Sequence, residues 1–499
     1  MATTPQITRT DREPPVPRFA LRPVGAIALA ATAVLLAVSP WYGYHRDELY
    51  FRLLGQRPRL GYFDTPPLTP LVARISTALF GDTVTALRVV PALLAGVLVV
   101  LVACVARELG GGRAAQIMAA AGIATGLFPL VAGHTLLTLT LDLPLWTAAI
   151  LFILRALRRG DGRWWLAVGA TAGVAAYNRQ LIVLLLAGVG AGILLAGPRR
   201  VLRDPRLWLG ALLALAIAAP NVVYQITHDW PQAQMAAALE IGKGGDNRIT
   251  FVPMQLVLVS WPPLVPVMVA GWIRLWRDRA VRSLAIAYPL CCAVVLYTGG
   301  RPDYVVGLLF LLFAAGCAPT LEWAAGRPRR RVLVTAAVAL GAVSNVVFAL
   351  PVIPAESLRG TPVALANEVA RDSVGWPGFA AQVAAVVRAL PADDRARAIL
   401  LAANYGEAGA LDRWAGEYAL PPVHSPHNEL YWWGPPPETA RVAVVVGAPS
   451  SFLTGRFARC DQVASVGGMA GEEQGVPITV CRDPATSWAA LWPGLRHYS

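Results

Sequence analysis

The sequence predicts a polytopic α-helical membrane protein with about eleven transmembrane helices and a small C-terminal α/β domain outside the cytoplasm. Of the 499 residues, 56% are hydrophobic and only 15% are charged, which is too apolar for an ordinary soluble domain. Apolar windows long enough to cross a bilayer alternate with short arginine-rich loops. After residue 353 the composition becomes mixed, as in a folded soluble domain.

A cytoplasmic basic segment, residues 1–22, precedes the first window and carries Arg9, Arg12, Arg18 and Arg22. A cleaved signal peptide is the competing interpretation, but cleavage near Pro40 would leave an acidic pair almost at a free terminus. An uncleaved first span is therefore expected. The predicted windows are about 23–41, 84–106, 114–131, 135–154, 164–177, 180–197, 207–226, 252–273, 282–298, 304–323 and 332–350.

The net charge of +13 is distributed in a way that indicates membrane orientation rather than nucleic-acid binding. Arginines cluster in alternate loops, as at Arg158-Arg159, Arg199-Arg200 and 329–331, which by the positive-inside rule are cytoplasmic. The first outer loop, 42–83, and everything after Pro351 are then extracytoplasmic. We expect a multi-pass cell-membrane protein with a cytoplasmic N-terminus, surrounded by membrane lipid and binding no nucleic acid.

The chain is expected to divide into the N-terminal segment, a membrane domain at 23–353 and an extracytoplasmic domain at 354–499. In the last of these, Val363–Leu390 has a helical pattern interrupted at 375–378, and three short apolar strands are predicted at 398–402, 442–446 and 476–480. Cys460 and Cys481 lie in this domain, where an oxidising compartment would allow a disulfide.

The first outer loop contains the residues most suited to chemistry. Asp47 and Glu48 follow the first span directly, and Arg46, Arg52 or Arg179 could keep a carboxylate there ionised. An ionised, desolvated carboxylate can take a proton from an attacking alcohol or amine. The alternative is an acidic pair that only anchors a short interfacial helix.

Further charges are predicted inside or beside the spans. Asp142 lies about 10 Å deep in the fourth window, at 1.5 Å per residue, and should face a cavity or partner unless it only stabilises helix packing. Arg179 and Arg301 lie in outer loops and suit a phosphate, because a guanidinium group matches its oxygens; lipid headgroups are the alternative. For Lys243 and Arg248 the headgroup interpretation is preferred.

A metal centre is weakly indicated at most. His424, His427 and Glu429 offer ligand types near one another, but the spacing has low specificity and a polar surface loop is preferred. The sequence has no Walker, paired CxxC or HExxH motif. No metal ligand is assigned and no cofactor is required, although a divalent metal remains open.

The loop and its neighbours resemble a known family. Asp47-Glu48, the segment Tyr62–Leu68 and the stretch from Gly133-His134 to Asp142 resemble the family 39 glycosyltransferases of the GT-C fold, which include protein O-mannosyltransferases and lipid A aminoarabinose transferases. The similarity covers about residues 20–350. Further similar segments are Asn178-Arg179, Pro220-Asn221, His228–Pro231 and Gly300–Tyr304.

The resemblance implies sugar transfer from a polyprenyl-phosphate donor to a lipid, glycan or protein acceptor at the outer face, by a single inverting displacement. It implies that Asp47 is the base and that Glu48 beside it is the second catalytic acid. Asp64 would shape the acceptor or metal region, and Arg179 and Arg301 would contact phosphate. Arg46 and Asp142 complete the predicted substrate-binding set.

Two positions depart from the family pattern. Thr65 stands where relatives often carry a basic residue, and Leu139 where some have an acid. The first puts phosphate contact from that position in doubt, and the second leaves Asp142 as the only carboxylate in its helix.

Two other functions would use some of the same residues or the tail. A transporter or flippase for a lipid-linked or anionic solute would use Asp142 and the outer arginines to bind cargo, and predicts symmetric halves with charges deep in several spans. A non-catalytic scaffold would depend on the tail alone, and substitution of Asp47 would leave its function intact.

Overall fold

The computed structural model describes residues 16–260 and 262–498. Most of the predicted N-terminal segment, including Arg9 and Arg12, therefore lies outside the described residues. The helices up to residue 350 are α1 (Leu21–Val38), α2 (Arg46–Gly55), α3 (Leu68–Phe80), α4 (Val84–Glu108), α5 (Arg113–Ala124), α6 (Leu127–His134), α7 (Thr138–Arg159), α8 (Arg163–Ala176), α9 (Ile182–Ala196), α10 (Pro205–Thr227), α11 (Pro231–Val257), α12 (Val265–Arg277), α13 (Arg282–Thr298), α14 (Val306–Ala324) and α15 (Pro328–Ala349).

The polytopic helical architecture is confirmed, and each predicted window overlaps a helix. In the described residues, six helices are long and apolar enough to cross a membrane, or up to seven if the bent pair α5–α6 forms one span. The number of about eleven stays a prediction. The centre of the bundle is α14, which is buried continuously over Val306–Ala318 and packs against α4, α5, α7 and α12.

Two stretches differ from the sequence-based expectation. The window 252–273 is not one helix, because α11 ends at Val257 and α12 begins at Val265. Consecutive prolines at 262 and 263 lack the N–H that a continuous helix needs and disfavour helical backbone before them. The preceding outer loop, expected at 227–251, is instead mostly the first part of α11.

The first outer loop is itself helical. It contains α2 and then α3, an apolar helix too short to cross the membrane. Leu71, Ile75 and Leu79 are exposed on α3, as expected for a helix that lies in the interface with its apolar side toward lipid.

The tail contains a small α/β domain, as predicted. Its strands are β1 (Ala398–Ala402), β2 (Val423–His424), β3 (Val442–Val446), β4 (Phe457–Ser465) and β5 (Pro477–Pro484), and they form one sheet in the order β2-β1-β3-β5-β4. β1 runs parallel to β2 and β3, whereas β5 is antiparallel to β3 and β4. Its helices are α16 (Ala355–Leu358), α17 (Pro362–Ala366), α18 (Glu368–Arg371), α19 (Trp376–Ala389), α20 (Ala392–Ala396), α21 (Tyr405–Arg413), α22 (Ala415–Tyr418), α23 (Asn428–Tyr431), α24 (Ser450–Leu453) and α25 (Trp488–Leu491).

The burial of each strand explains whether the sequence predicts it. β3 is an uninterrupted run of buried valines and alanine, whereas most of β4 is exposed and has no alternating pattern. Cys460 on β4 lies opposite Cys481 on β5, and the two are joined by a disulfide with their Cα atoms 4.1 Å apart.

A single hydrophobic core joins the tail to the first outer loop. Leu49 and Tyr50 of α2 lie in the same cluster as Trp376 and Phe379 of α19 and the inner face of the sheet. The approach is close: a β-carbon added at Gly409 of α21 would lie 2.8 Å from the backbone carbonyl carbon of Leu49. The tail is therefore docked directly on α2.

A buried ion pair fixes the other side of α2. Glu48 and Arg88 are 0% and 1% exposed, and Arg88 Nε and Nη2 donate to Glu48 at 3.0 and 2.8 Å. The Glu48 carboxylate also accepts from the backbone N–H groups of His45 and Leu136, both at 2.9 Å. Arg88 in turn donates to the carbonyls of Ser39, Trp41 and Gly43. The pair thus connects the end of α1, the start of α2, α4 and the α6–α7 link.

Replacing Arg88 with methionine should destabilise the protein, because Glu48 would stay buried without a cation. The expected cost is about 3–5 kcal/mol. The measurement is the unfolding midpoint in detergent, compared with Arg113→Met, which removes an exposed arginine. Equal midpoints for the two variants would contradict a structural role for the pair.

Candidate active site

Asp47 lies in the first turn of α2, where the membrane domain meets the tail. Its backbone N–H donates to Nδ1 of His45, the N-cap residue, at 3.1 Å, and its side chain remains partly exposed. Oδ1 accepts a hydrogen bond of 2.9 Å from the hydroxyl of Tyr405, at the start of α21. Among the described residues, none donates to Oδ2. One carboxylate oxygen is therefore held and the other is available.

Asp64 lies beside this group. Its Oδ1 accepts from the hydroxyl of Tyr50 at 2.9 Å and its Oδ2 from Nδ2 of Asn428 at 3.1 Å. The rings of Tyr50 and Tyr405 are in contact, with centroids 4.7 Å apart. Burial raises the pKa of Asp64 to about 6, against the lowering effect of its hydrogen-bond donors. The two aspartates thus flank a pair of packed tyrosines.

Arg46 extends from α2 over the tail. Its guanidinium lies 4.9 Å from the centroid of the Tyr405 ring and pairs with Glu472 at 3.2 Å and with Asp372 at 3.9 Å. The pKa of Asp372 rises to about 7 through burial, despite the nearby arginine. Arg46 therefore stabilises the junction with the tail as well as lying next to Asp47.

Glu48 does not lie in an open site, in contrast to the expectation that both members of the acidic pair take part in chemistry. Its two oxygens accept four hydrogen bonds from protein groups, and no part of its surface reaches solvent. A carboxylate in this position orients α2 and has no oxygen left for a substrate. The side chains of Asp47 and Glu48 point in different directions, because consecutive residues of a helix lie on different faces.

The predicted cationic group lies at the links before α9 and α14. Arg179 and Arg301 both pair with the buried carboxylate of Asp303, at 3.7 and 2.9 Å. Asp142, which is 4% exposed, has Arg179 and Asp303 as charged neighbours, and its Oδ1 has no hydrogen-bond partner among the described residues. The Arg301 side chain is 57% exposed and accessible to a ligand.

Asn178 explains how this group is connected to the first outer loop. Its Oδ1 accepts from the Thr69 hydroxyl on α3, and its Nδ2 donates to the carbonyl of Thr138 at the start of α7, both at 2.8 Å. Leu68 N–H also donates to the carbonyl of Tyr177. Arg179 is therefore held near the end of the segment that contains Asp64.

The segment 424–429 supports the loop. Nδ1 of His427 accepts from the backbone N–H of Tyr405 at 3.0 Å, and Glu429 accepts from Arg59 at 3.2 Å and from the N–H of Phe63 at 2.8 Å. Burial raises the pKa of Glu429 to about 7. Within the described ranges, no group of three or more His, Cys, Asp or Glu side chains is arranged to hold a metal ion.

Sequence reasoning missed three residues that the structure places at or next to the site: Arg88, Tyr405 and Asn428. Arg88 carries a detectable signal, because an arginine inside an apolar window normally has a buried partner. Tyr405 and Asn428 carry none, since each comes more than 340 positions after the acid that it contacts.

The raised pKa of Asp64 predicts a pH-dependent stability. Because the folded pKa of about 6 exceeds the ordinary value of 3.8, the contribution of Asp64 is complete below pH 3.8 and is lost as pH rises through about 6. The unfolding midpoint of the wild type, relative to Asp64→Asn, should therefore fall across this interval and then level off. The exposed Glu356→Gln serves as the control, and a flat difference for Asp64→Asn would refute the assignment.

Comparisons with known proteins identify the fold. Residues 64–224 match the family described as dolichyl-phosphate-mannose-protein mannosyltransferase. No curated protein sequence matches significantly. ArnT from Cupriavidus metallidurans aligns in its apo state over 92% of this chain and 97% of its own, with 16% identity and a TM-score of 0.57.

Two other solved structures agree with this likeness. ArnT bound to undecaprenyl phosphate aligns over 91% of this chain and 97% of its own, with 16% identity and a TM-score of 0.58. The arabinofuranosyltransferase AftD from Mycobacteria aligns over 94% of this chain but 40% of its own, with 16% identity and a TM-score of 0.51. The resemblance noted in the first outer loop is thus confirmed at the level of the fold: the chain is a polytopic membrane protein of the GT-C type with a small C-terminal α/β domain.

Proposed function

We propose that the protein is a membrane glycosyltransferase that transfers a sugar from a polyprenyl-phosphate donor to an acceptor, with Asp47 as the general base. The observation that carries the proposal is the carboxylate of Asp47: one oxygen is fixed by a hydrogen bond and the other is uncommitted, in a loop between membrane helices and an outer domain. The GT-C fold and the undecaprenyl phosphate bound by ArnT support a lipid-linked donor.

The reaction is a single displacement at the anomeric carbon. The acceptor oxygen or nitrogen forms the new bond to that carbon while its proton passes to Oδ2 of Asp47. The bond from the anomeric carbon to the phosphate oxygen breaks, and polyprenyl phosphate leaves with the bonding electrons. Because the nucleophile enters opposite the leaving group, the configuration is inverted. Glu48 acts through α2, by holding the base in position.

The leaving phosphate gains negative charge, which needs a cationic environment. Arg179 and Arg301 supply it in this proposal, since two guanidinium groups share the single carboxylate of Asp303 and the Arg301 side chain is more than half exposed. Asp142 would contact the sugar hydroxyls through its unpaired oxygen, and Asp64 would shape the acceptor side next to Tyr50.

The division of the chain supports this assignment. Residues 23–353 would form the catalytic membrane domain with the outer loop at 42–83, and residues 354–499 the extracytoplasmic domain. The arginine-rich loops favour a cytoplasmic location for the opposite face, and a Cys460–Cys481 bond suits an oxidising compartment. The acceptor, whether lipid, glycan or protein, would then be extracytoplasmic.

Asp47→Asn should leave the fold intact and lower transfer by about 10²–10⁴-fold, because it keeps the shape of the side chain and removes the base. The measurement is incorporation from a panel of radiolabelled polyprenyl-phosphate sugars in membranes, where the labelled product also identifies donor and acceptor. Glu417→Gln, an exposed acid of the tail, is the matched control. Full turnover by Asp47→Asn would move the base elsewhere, whereas no incorporation by the wild type from any donor would favour a transporter.

Arg301→Ala should lower kcat/KM for the donor, because one cation would be lost from the leaving phosphate. Hydrogen bonds to charged groups contribute about 1.5–3 kcal/mol, which corresponds to roughly 10- to 150-fold. Asp303 would keep Arg179 as a partner, so the protein should still fold. Arg248→Ala is the control, since Arg248 pairs with the exposed Glu240 and is assigned no contact with the sugar donor. Equal losses in both variants would rule out a specific role for Arg301.

A further inference from the structure

The tail supplies a hydroxyl group to the proposed base. Tyr405 is the first residue of α21, and its O–H donates to Oδ1 of Asp47 at 2.9 Å across 358 positions of sequence. The helix start itself is fixed by a capping box, in which Asn404 accepts from the backbone of Glu407 and Glu407 accepts from the backbone of Asn404. The position of this hydroxyl therefore depends on the folded tail.

The ring of Tyr405 is held on several sides. It stacks parallel to the His427 ring with centroids 5.3 Å apart, it contacts Tyr50 at 4.7 Å, and the Arg46 guanidinium lies over it at 4.9 Å. A phenol with so many ring contacts has little freedom to rotate. Its hydroxyl can hold a carboxylate in one orientation.

We propose that Tyr405 is a positioning residue for Asp47, so that the extracytoplasmic domain completes the catalytic site. The hydrogen bond to Oδ1 would fix the carboxylate plane and direct Oδ2 toward the incoming acceptor. This inference rests on the proposed function of Asp47 as the base. It assigns a reaction role to the tail, which otherwise would serve only as a docked outer domain.

The chemistry requires the phenol to remain a donor. Burial, together with the carboxylates of Asp47 and Asp64, raises the pKa of Tyr405 well above its ordinary value, so its proton stays on the phenolic oxygen. The acceptor proton moves to Oδ2 while Oδ1 keeps its hydrogen bond. No proton leaves Tyr405 during the displacement, and none is needed from it.

The surroundings of Asp47 allow this contribution to be separated from the others. On its own helix Asp47 is flanked by Arg46 and Glu48, which have partners of their own, and His45 precedes it. The first outer loop adds Asp64, and the tail adds Tyr405. Of these groups, Tyr405 alone donates a hydrogen bond to the Asp47 side chain among the residues that the structure describes.

The test is Tyr405→Phe, which removes one oxygen atom. A donated hydrogen bond favours the ionised carboxylate, so its loss should move the acid limb of the pH–rate profile to higher pH, by on the order of one unit. We expect kcat to fall about ten-fold or more, since hydrogen bonds to charged groups contribute about 1.5–3 kcal/mol, with donor KM little changed. Tyr418→Phe, another tail tyrosine, should behave like the wild type.

A second variant strengthens the same hydrogen bond instead of removing it. It therefore distinguishes the loss of this bond from a folding defect. Replacing Tyr405 with 3-fluorotyrosine keeps the ring and hydroxyl but makes the phenol a stronger donor, so the acid limb should move to lower pH. The unfolding midpoint of the 3-fluorotyrosine variant, which keeps the hydrogen bond, should match that of the Tyr418→Phe control.

Several results would overturn the inference alone: an active wild type with unmoved acid limbs in both variants, a change confined to KM, or a fall in kcat without a pH shift. An inactive wild type with every donor would instead overturn the proposed function, and this inference with it. The two failures are therefore distinguishable.

Discussion

The site depends on the buried ion pair between Glu48 and Arg88. Arg88 comes from a membrane helix and Glu48 from the outer loop, and together they bind the end of the first helix, the start of α2 and the α6–α7 link. Desolvating both charges is costly, but every donor and acceptor position is used, which is the condition under which such a pair is tolerated. The orientation of α2, and hence of Asp47, follows from this arrangement.

Two neighbouring acids therefore acquire different roles. Glu48 points into the membrane domain and is saturated with hydrogen bonds, whereas Asp47 points to the tail and keeps an oxygen for chemistry. The sequence presents them as an equivalent pair. Only the direction of each side chain from the helix axis separates a structural carboxylate from a candidate base, and that direction depends on what packs against each face.

Much of the architecture can be predicted from the sequence, because a helix that crosses the lipid bilayer needs a long apolar run. Such runs predict the membrane helices and the polar first loop between them, and shorter apolar runs predict the strands β1 and β3 of the tail. A hydropathy window does not reveal the break at 258–264, because the residues around it are apolar. The sequence does not indicate β4, because most of this edge strand is exposed and it has no hydrophobic alternation. Tyr405 and Asn428 could not be found, since contacts between distant segments leave no local pattern.

The close approach at Gly409 restricts how the chain can vary. The atom that a β-carbon would meet there is a backbone atom of Leu49, so no smaller side chain in α2 could make room for it. No second mutation in α2 can therefore compensate for a larger residue at position 409. Alanine there would require α21 or α2 to shift as a whole. In related sequences, a glycine at this position would indicate that the tail docks on α2, whatever the length or the remaining sequence of that tail.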